Sequence, residues 1–368
     1  MRKALIGCLC LCLMMGLCAV AGAAGVTIRT FTPFADMDFA SQGYMDAVTA
    51  WEEETGNVVE DYSGLTDEAW ETQMRQMIAA GEADILIVPA GMALSSADVI
   101  TVDELLAAAP DCGARRMPAL AGADGTVLMT PVRLNWEALY VNTDVLAAHG
   151  LSVPATYDEL ITVCAVLAQM GVVPVANALC EWPEIVLDCA ALAGAPAQQY
   201  GTAASLTGAQ EMLMSLTMVG AFGPDAWNMT DGDAEEMFLS GQAAMRFDAD
   251  WLCQLVPADR QEHVAVINVP GRDGQVRTAI AGTPAFGLAI TRSCWEDDAR
   301  CEAALSLVEK LLSPAGMQMM TGGTDSAMGQ SVALLTMNAG DCAGLLYDVL
   351  GDGYDAWAEG TVSALMGL

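Results

Sequence analysis

Two acidic segments contain the glycines and carboxylates of known binding loops. Gly351-Asp352-Gly353, followed by Ala356, resembles the glycine spacing of a dinucleotide-binding turn, but only 12 residues follow Ala356 and no β-α-β unit can form around it. Asp231-Gly232-Asp233 with Glu235 offers carboxylates for Ca²⁺, yet the glycine and the late glutamate stand at the wrong positions for a calcium loop. We therefore expect the second segment to begin a helix.

Other signatures of catalysis or metal binding are scarce. His149 and His263 are the only histidines, and neither lies near a cysteine cluster, which argues against a zinc site. The sequence has no G-x-S-x-G elbow, P-loop or H-E-x-x-H motif. Its 47 acidic residues leave a glycosidase carboxylate pair open, although no pair is distinguished by an apolar setting. We expect no catalytic residues, no metal and no cofactor.

The charge balance excludes some partners. The chain has 14 basic and 47 acidic residues, a net charge of −33. Such a charge repels the phosphates of nucleic acids and anionic membrane surfaces. The acidic residues are spread along the chain, which is typical of solvated helix faces, and they do not identify a substrate.

The first 23 residues have the layout of a signal peptide. Arg2 and Lys3 precede an uncharged run from Ala4 to Ala21 that ends in small residues, with cleavage expected after Ala21 or Ala23. The alternative, a membrane anchor, needs about 20 apolar residues. A lipid anchor is not favoured, because Leu17 precedes Cys18 and the run before Cys8 is too short.

Eight cysteines follow the predicted leader, and an exported protein can form disulfides. Cys180 with Cys189 and Cys294 with Cys301 are the only close pairs, and each bridge stays open at this stage. Cys164 lies on the apolar face of a predicted helix and is expected to be a buried small hydrophobe.

Strand and helix patterns alternate along the chain. Strands are predicted at 26–31, 58–62 and 83–89, with helices between them, and this order is typical of a layered α/β domain. Thr101 with Glu104 and Thr156 with Glu159 form capping boxes that begin two further helices.

A second α/β unit begins near residue 140. We expect strands at 134–141, 172–177, 243–248 and 264–269, helices near 183–192, 208–218 and 304–311, and one long strand or a strand pair at 280–290. Ser313-Pro314 begins another helix. No flexible linker separates the units, so crossing strands should join them and leave a cleft at the junction, where ligand sites tend to lie.

Three stretches resemble the family 1 extracellular solute-binding proteins, the maltose and multiple-sugar group. Residues 136–160, from Trp136-Glu137-Ala138 to Asp158-Glu159-Leu160, are similar in order and spacing to the family's hinge-strand signature. Residues 236–251 resemble the family's "F-x-x-G-K-A-A-M…G-x-W", and residues 303–320 resemble its "A-x-x-F-x-x-F-L-x-S-P-E-x-Q" helix pair. Tyr157 and Gln242 depart from the usual tryptophan and lysine, and the part after Gly322 matches weakly.

The resemblance implies a type II periplasmic-binding fold of α/β class, with two lobes that close on a ligand. We expect residues 1–23 to be the signal peptide, 24–134 plus 270–312 to form one lobe, and 135–269 plus 313–368 to form the other. The implied function is an extracytoplasmic subunit that binds a small carbohydrate and delivers it, unchanged, to the transmembrane subunits of an ABC importer. We expect a monomer.

Site residues follow from the same resemblance, position by position. Sugars are held by polar side chains and by aromatic faces stacked on their C–H surfaces. The expected ligand-binding residues are Trp251, Trp182, Trp136, Asn135, Asp36, Phe34, Glu181, Asp248, Asp250, Gly91, Gly282 and Thr283. Trp51 and Trp70 sit at helical spacing and are expected in the core.

Two other hypotheses remain. The same fold could bind a non-sugar ligand or act as a sensor, and thermal shift against a sugar panel separates that case from sugar import. A secreted hydrolase is the third hypothesis. It would be identified by turnover of a chromogenic glycoside or ester, if mutation of one cleft carboxylate abolished that turnover. The aromatic content of 6% favours a mono- or disaccharide over a long glucan.

Overall fold

The computed structural model describes residues 25–34, 40–321 and 326–367. The predicted signal peptide and Asp36 lie outside the described residues. Within these ranges no helix combines the length and the apolar character that a membrane crossing requires.

One sheet connects the strands of the described chain. Its order is β2-β1-β3-β8-β4-β6-β5, while β7 pairs with β4 and β9 pairs with β8. The strands are β1 (Thr27–Thr32), β2 (Val58–Ser63), β3 (Ile85–Pro89), β4 (Thr130–Asn142), β5 (Val173–Val175), β6 (Ala243–Ala249), β7 (Val264–Ile267), β8 (Ala279–Ile290) and β9 (Asp341–Cys342).

The long strands β4 and β8 join two groups of shorter strands. They pair antiparallel from Thr130 opposite Leu288 to Glu137 opposite Ala281. At one end β8 continues beside β3, and at the other end β4 continues between β6 and β7. The sequence had left residues 280–290 as one strand or two, and the structure has one. The predicted crossing strands are thus confirmed.

Helices cover both groups of strands. They are α1 (Ala40–Thr55), α2 (Glu68–Ala80), α3 (Val102–Ala108), α4 (Thr143–Ala148), α5 (Tyr157–Gln169), α6 (Glu184–Gly194), α7 (Ala203–Met218), α8 (Asp231–Leu239), α9 (Leu252–Leu255), α10 (Arg292–Trp295), α11 (Asp298–Leu312), α12 (Pro314–Met320), α13 (Ala327–Asn338), α14 (Leu346–Leu350) and α15 (Tyr354–Met366). The α/β class is confirmed.

Local capping signals fix several helix ends. The Thr101 and Thr156 side chains each accept a hydrogen bond from the amide of the glutamate three residues on, and both boxes are complete. Asp231 begins α8 behind a third box formed by Thr230 and Asp233, so the segment weighed as a calcium loop is a helix start. Gly351-Asp352-Gly353 is a 3₁₀ turn before α15, with no strand in front of it.

The buried side chains form a separate core on each group of strands and a third core to which both groups contribute. One core packs α5, α6 and α7 against β4 and β6. A second packs α1, α11 and α12 against β1 and β3. The third includes alternate residues of β4, namely Leu134, Trp136, Ala138 and Tyr140. Trp51 is 1% exposed and Trp70 is also buried, as expected.

The predicted lobe boundaries stay a prediction, and one helix bears on them. The prediction places α12 with the second lobe. In the structure α12 packs against α1 and α11, and its Met317 and Met320 lie in the core that those helices share. This packing favours placing α12 in the first lobe.

All eight cysteines of the described chain are free thiols. The two bridges that the sequence left open are therefore not formed in this structure. Cys164 is fully buried, as expected, and burial raises the pKa of its thiol to about 12.

Candidate functional site

The crossing strands bring four of the predicted site residues together. Asn135 lies opposite Thr283, and Trp136 lies opposite Gly282. Gly282 has a φ of +136°, and a Cβ added there would stand 2.1 Å from the carbonyl oxygen of Asn135. Only glycine allows the two backbones to approach this closely. Asn135 is exposed and Thr283 is partly buried, so both side chains reach solvent beside the crossing.

Asp250 lies beside this crossing. Its backbone N–H donates to the carbonyl of Trp136 at 3.0 Å. Its carboxylate stands 3.6 Å from the guanidinium of Arg133, and both side chains are 13% exposed. The guanidinium also lies 5.8 Å from the ring centroid of Phe286, a cation–π contact. The residues around a small cavity here are Arg133, Leu134, Trp136, Asp250, Cys253 and Thr321.

Sequence reasoning missed Arg133 as a site residue. The available signal was a basic residue within the crossing strand of a chain that has only 14 basic residues. Its partner Asp250 is far along the chain, so the pair becomes visible only when β4 and β6 lie side by side.

Trp182 and Trp251 are the two exposed aromatic rings of the predicted site. Each is 48% exposed, in contrast to the buried Trp51 and Trp70. β5 and β6 pair in parallel, and Trp182 lies in the segment after β5 while Trp251 follows β6. Because parallel strands end at the same edge of a sheet, the chain places both tryptophans at one edge. Their faces are available to a ligand.

Trp136 and Phe34 are placed differently. Trp136 is 3% exposed, and its ring centroid lies 6.0 Å from that of Tyr140 in the core. Phe34 is 1% exposed and meets Phe286 edge to face at 6.1 Å. Phe286 in turn lies under Arg133. Trp136 and Phe34 therefore pack against neighbouring aromatic residues, and neither ring is exposed to solvent.

Asp248 and Glu181 belong to one ionic network. Asp248 is 1% exposed, and its carboxylate lies 2.5 Å from Nε of Arg246. Arg246 also pairs with Asp231 at 2.8 Å, and the Asp231 amide donates to Glu181 at 2.6 Å. Burial raises the pKa of Asp248, while the adjacent guanidinium opposes that shift. Asp248 is thus engaged below the surface, whereas Glu181 is exposed beside Trp182.

Gly91 follows β3, which lies in the strand group that contains β1 and β2. It is exposed, and an added Cβ would meet nothing within 4 Å. The preceding amide, of Ala90, already donates to the carbonyl of Ala285 at 2.9 Å. Among the described residues, no group of three or more His, Cys, Asp or Glu side chains is placed to hold a metal ion.

Comparisons with known proteins bear on the family and the fold. Residues 40–318 match the family model described as bacterial extracellular solute-binding protein. No curated protein matches the chain. Among solved structures, the chain is similar to a probable secreted solute-binding lipoprotein from Streptomyces coelicolor, with 16% identity and a TM-score of 0.58, over 93% of this chain and 98% of that one.

Two further structures are similar at comparable distance. One is the apo-form of RafE from Streptococcus pneumoniae, with 14% identity and a TM-score of 0.56, over 93% of this chain and 97% of that one. The other is the bacterial solute receptor AcbH, described as having an exclusive preference for β-D-galactopyranose, with 14% identity and a TM-score of 0.58, over 93% and 92% of the two chains. At these identities the likeness shows the fold, which is the two-lobed periplasmic-binding type.

Proposed function

Because the chain belongs to the bacterial extracellular solute-binding protein family, we propose that it captures a small carbohydrate between its two lobes and delivers it unchanged to an ABC-type permease. Export by the signal peptide at residues 1–23 and action as a monomer outside the cytoplasm are parts of this proposal. We further propose lobes close to 24–134 plus 270–312 and 135–269 plus the C-terminal helices, with α12 assigned to the first lobe because it packs against α1.

The observation that carries the carbohydrate proposal is the pair of half-exposed tryptophans at one sheet edge. A large aromatic ring that is 48% exposed forgoes much of the free energy that burial would give. Trp182 and Trp251 both do so at the end of parallel strands, where ligands of open α/β sheets bind. Their faces match the C–H surfaces of a pyranose ring.

The polar residues nearby suit hydroxyl groups. Asn135 offers both a donor and an acceptor, Thr283 offers a hydroxyl, and Glu181 offers acceptors. The Arg133–Asp250 pair brings opposite charges together, which favours a neutral ligand over an ion. The solute receptor AcbH shares the fold, and its description gives it an exclusive preference for β-D-galactopyranose, a monosaccharide.

Calorimetry and thermal shift against a panel of mono- and disaccharides test the proposal, since a ligand that binds only the folded state raises the melting temperature. Trp251→Ala and Trp182→Ala should each weaken binding at least tenfold, about 1.4 kcal/mol. Met218→Ala, at an exposed apolar side chain elsewhere, is the control and should leave affinity unchanged.

Two outcomes would count against the proposal. If no sugar in the panel shifts the melting temperature while a non-sugar solute does, the ligand class is wrong and the fold serves another solute. If a sugar binds and both tryptophan variants keep wild-type affinity, the site lies elsewhere on the protein.

A further inference from the structure

Arg246 is a buried arginine in the interior of β6, and its guanidinium joins three elements. The residue is 1% exposed. Its Nε atom donates to Asp248, also on β6, and its Nη2 atom donates to Asp231, the first residue of α8, at 2.8 Å. Its Nη1 atom lies 3.4 Å from the carbonyl oxygen of Ala176, in the segment after β5. A buried arginine is costly unless its charge is paired and its donors are satisfied, so these contacts explain how the side chain is accommodated.

Asp231 carries the connection from Arg246 to the segment that ends in Trp182. Its carboxylate binds Arg246, while its backbone N–H donates to the Oε2 atom of Glu181 at 2.6 Å. Glu181 therefore lies at the N-terminus of α8, where the helix dipole and an otherwise unpaired amide favour a carboxylate. Trp182 is the next residue, so this contact holds the chain directly before the tryptophan.

The segment 176–182 is also attached at its start. Asn177 is 3% exposed, and its side chain donates to the carbonyl of Phe247 at 2.8 Å and accepts from the amide of the same residue at 3.0 Å. These two neutral hydrogen bonds fix the point at which the segment leaves the sheet. The charged contacts that reach Glu181 fix its other end, next to Trp182.

The strand β6 leads directly to the other exposed tryptophan. Asp248, which binds Arg246, also accepts a hydrogen bond from the Ala249 amide at 2.7 Å. Trp251 follows two residues after the strand ends at Ala249. Arg246 is therefore connected to the strand that leads to Trp251 as well as to the segment that ends in the other tryptophan.

We propose that Arg246 is a positioning residue of the ligand site, which sets where the Trp182 ring stands relative to the Trp251 ring. The inference rests on the proposed carbohydrate function, because it assigns these rings to one sugar-binding site. Arg246 acts through Asp231 and Glu181. Rings that are held in place before the ligand arrives lose less conformational freedom on binding, which strengthens binding. The planar guanidinium suits this role because its donors bind partners in several fixed directions at once.

Fluorine NMR of the unliganded full chain tests the positioning directly, with 5-fluorotryptophan in place of tryptophan and the two signals assigned from Trp182→Phe and Trp251→Phe. Asp231→Ala removes the acceptor that Arg246 binds. In this variant the Trp182 signal should shift and narrow because the ring gains fast motion, whereas the Trp251 signal should stay as in wild type. Glu181→Ala, at an exposed residue, covers the case in which Asp231→Ala does not fold, and it should change the Trp182 signal in the same way.

Sugar affinity, measured by calorimetry with a sugar that the panel identifies, tests the consequence for binding. Asp231→Ala should weaken binding about fivefold. In the Trp182→Ala background the same change should have less than about a twofold effect, because its influence passes through the Trp182 ring. Asp231→Asn should stay within about twofold of wild type, since its amide oxygen can still accept the hydrogen bond from Arg246.

The matched control is Glu211→Ala, which breaks an ion pair between α7 and Arg272 that shares no residue with these contacts. It should change neither the fluorine signals nor the affinity. Three results would overturn the proposal: a wild-type Trp182 signal in Asp231→Ala, an equal loss of affinity from Asp231→Ala with and without the Trp182 ring, or an equal effect of Glu211→Ala. If no sugar binds, the carbohydrate proposal fails, and the fluorine signals of the unliganded protein still decide whether Arg246 positions Trp182.

Discussion

Replacing Gly282 by alanine should destabilise the protein more than any other single methyl group added at the crossing. The residue has a φ of +136°, a region that only glycine adopts readily. An added Cβ would lie 2.1 Å from the Asn135 carbonyl oxygen and 2.8 Å from the Trp136 Cα atom. Both obstacles are backbone atoms of β4, so no side chain can move aside and the two strands must separate.

The magnitude follows from two contributions. The unfavourable backbone conformation costs about 1–3 kcal/mol. Separation of β4 from β8 weakens one or two ladder hydrogen bonds, at about 1 kcal/mol each. We therefore expect Gly282→Ala to lower the free energy of unfolding by about 3–5 kcal/mol.

Urea unfolding with linear extrapolation measures this loss. Gly91→Ala is the matched control, because that glycine is another predicted site residue, is exposed, and has nothing within 4 Å of an added Cβ. The control should change the free energy of unfolding by less than about 0.5 kcal/mol. A Gly282→Ala variant within about 1 kcal/mol of wild type would refute the argument that close backbone approach requires glycine at this position.

Two charged pairs give further predictions. Arg246→Met should lower the free energy of unfolding, measured in urea, by about 3–5 kcal/mol, because it leaves the buried Asp248 carboxylate without its partner. The control Arg29→Met breaks an exposed pair and should lower it by less than about 1 kcal/mol. Equal losses of stability in the two variants would contradict the role of burial. Arg292 lowers the pKa of Glu104 to about 2, so this carboxylate stabilises the fold above its ordinary pKa and loses that contribution as the pH falls from about 4.5 to about 2. In Glu104→Gln the melting temperature should change less with pH over this acidic range than it does in wild type. An unchanged pH dependence of the melting temperature would count against the pair.

Local signals in the sequence predicted much of the fold. The boxes at Thr101 and Thr156 were predictable because the hydrogen bonds that define them join residues three apart. The run at 83–89 was predictable because a strand buried on both faces is apolar throughout. The C-terminal helices α13 to α15 were not predicted. In α13 and α15 apolar residues also stand on the exposed side, such as Leu334 and Met366, and these obscure the helical face that is buried.

The charged centre of the site was harder to predict for a related reason. Arg133 and Asp250 lie far apart in sequence and meet only when the sheet assembles. The burial of Glu137 and Asp188 was not predicted either. Asp188 is the only charged residue in the run 185–193, and that isolation was the signal available in the sequence.

The alternation of β4 explains why a buried glutamate, Glu137, lies two residues from the predicted site residue Asn135. Even-numbered residues from Leu134 to Tyr140 lie in the third core, so odd-numbered residues lie on the other face of the strand. Along that face Asn135 is exposed and Glu137 is buried where α6 packs against β4, while Leu139 lies in the core that includes α5, α6 and α7. Glu137 is therefore the residue at which this face passes from the open cleft into the packed interior.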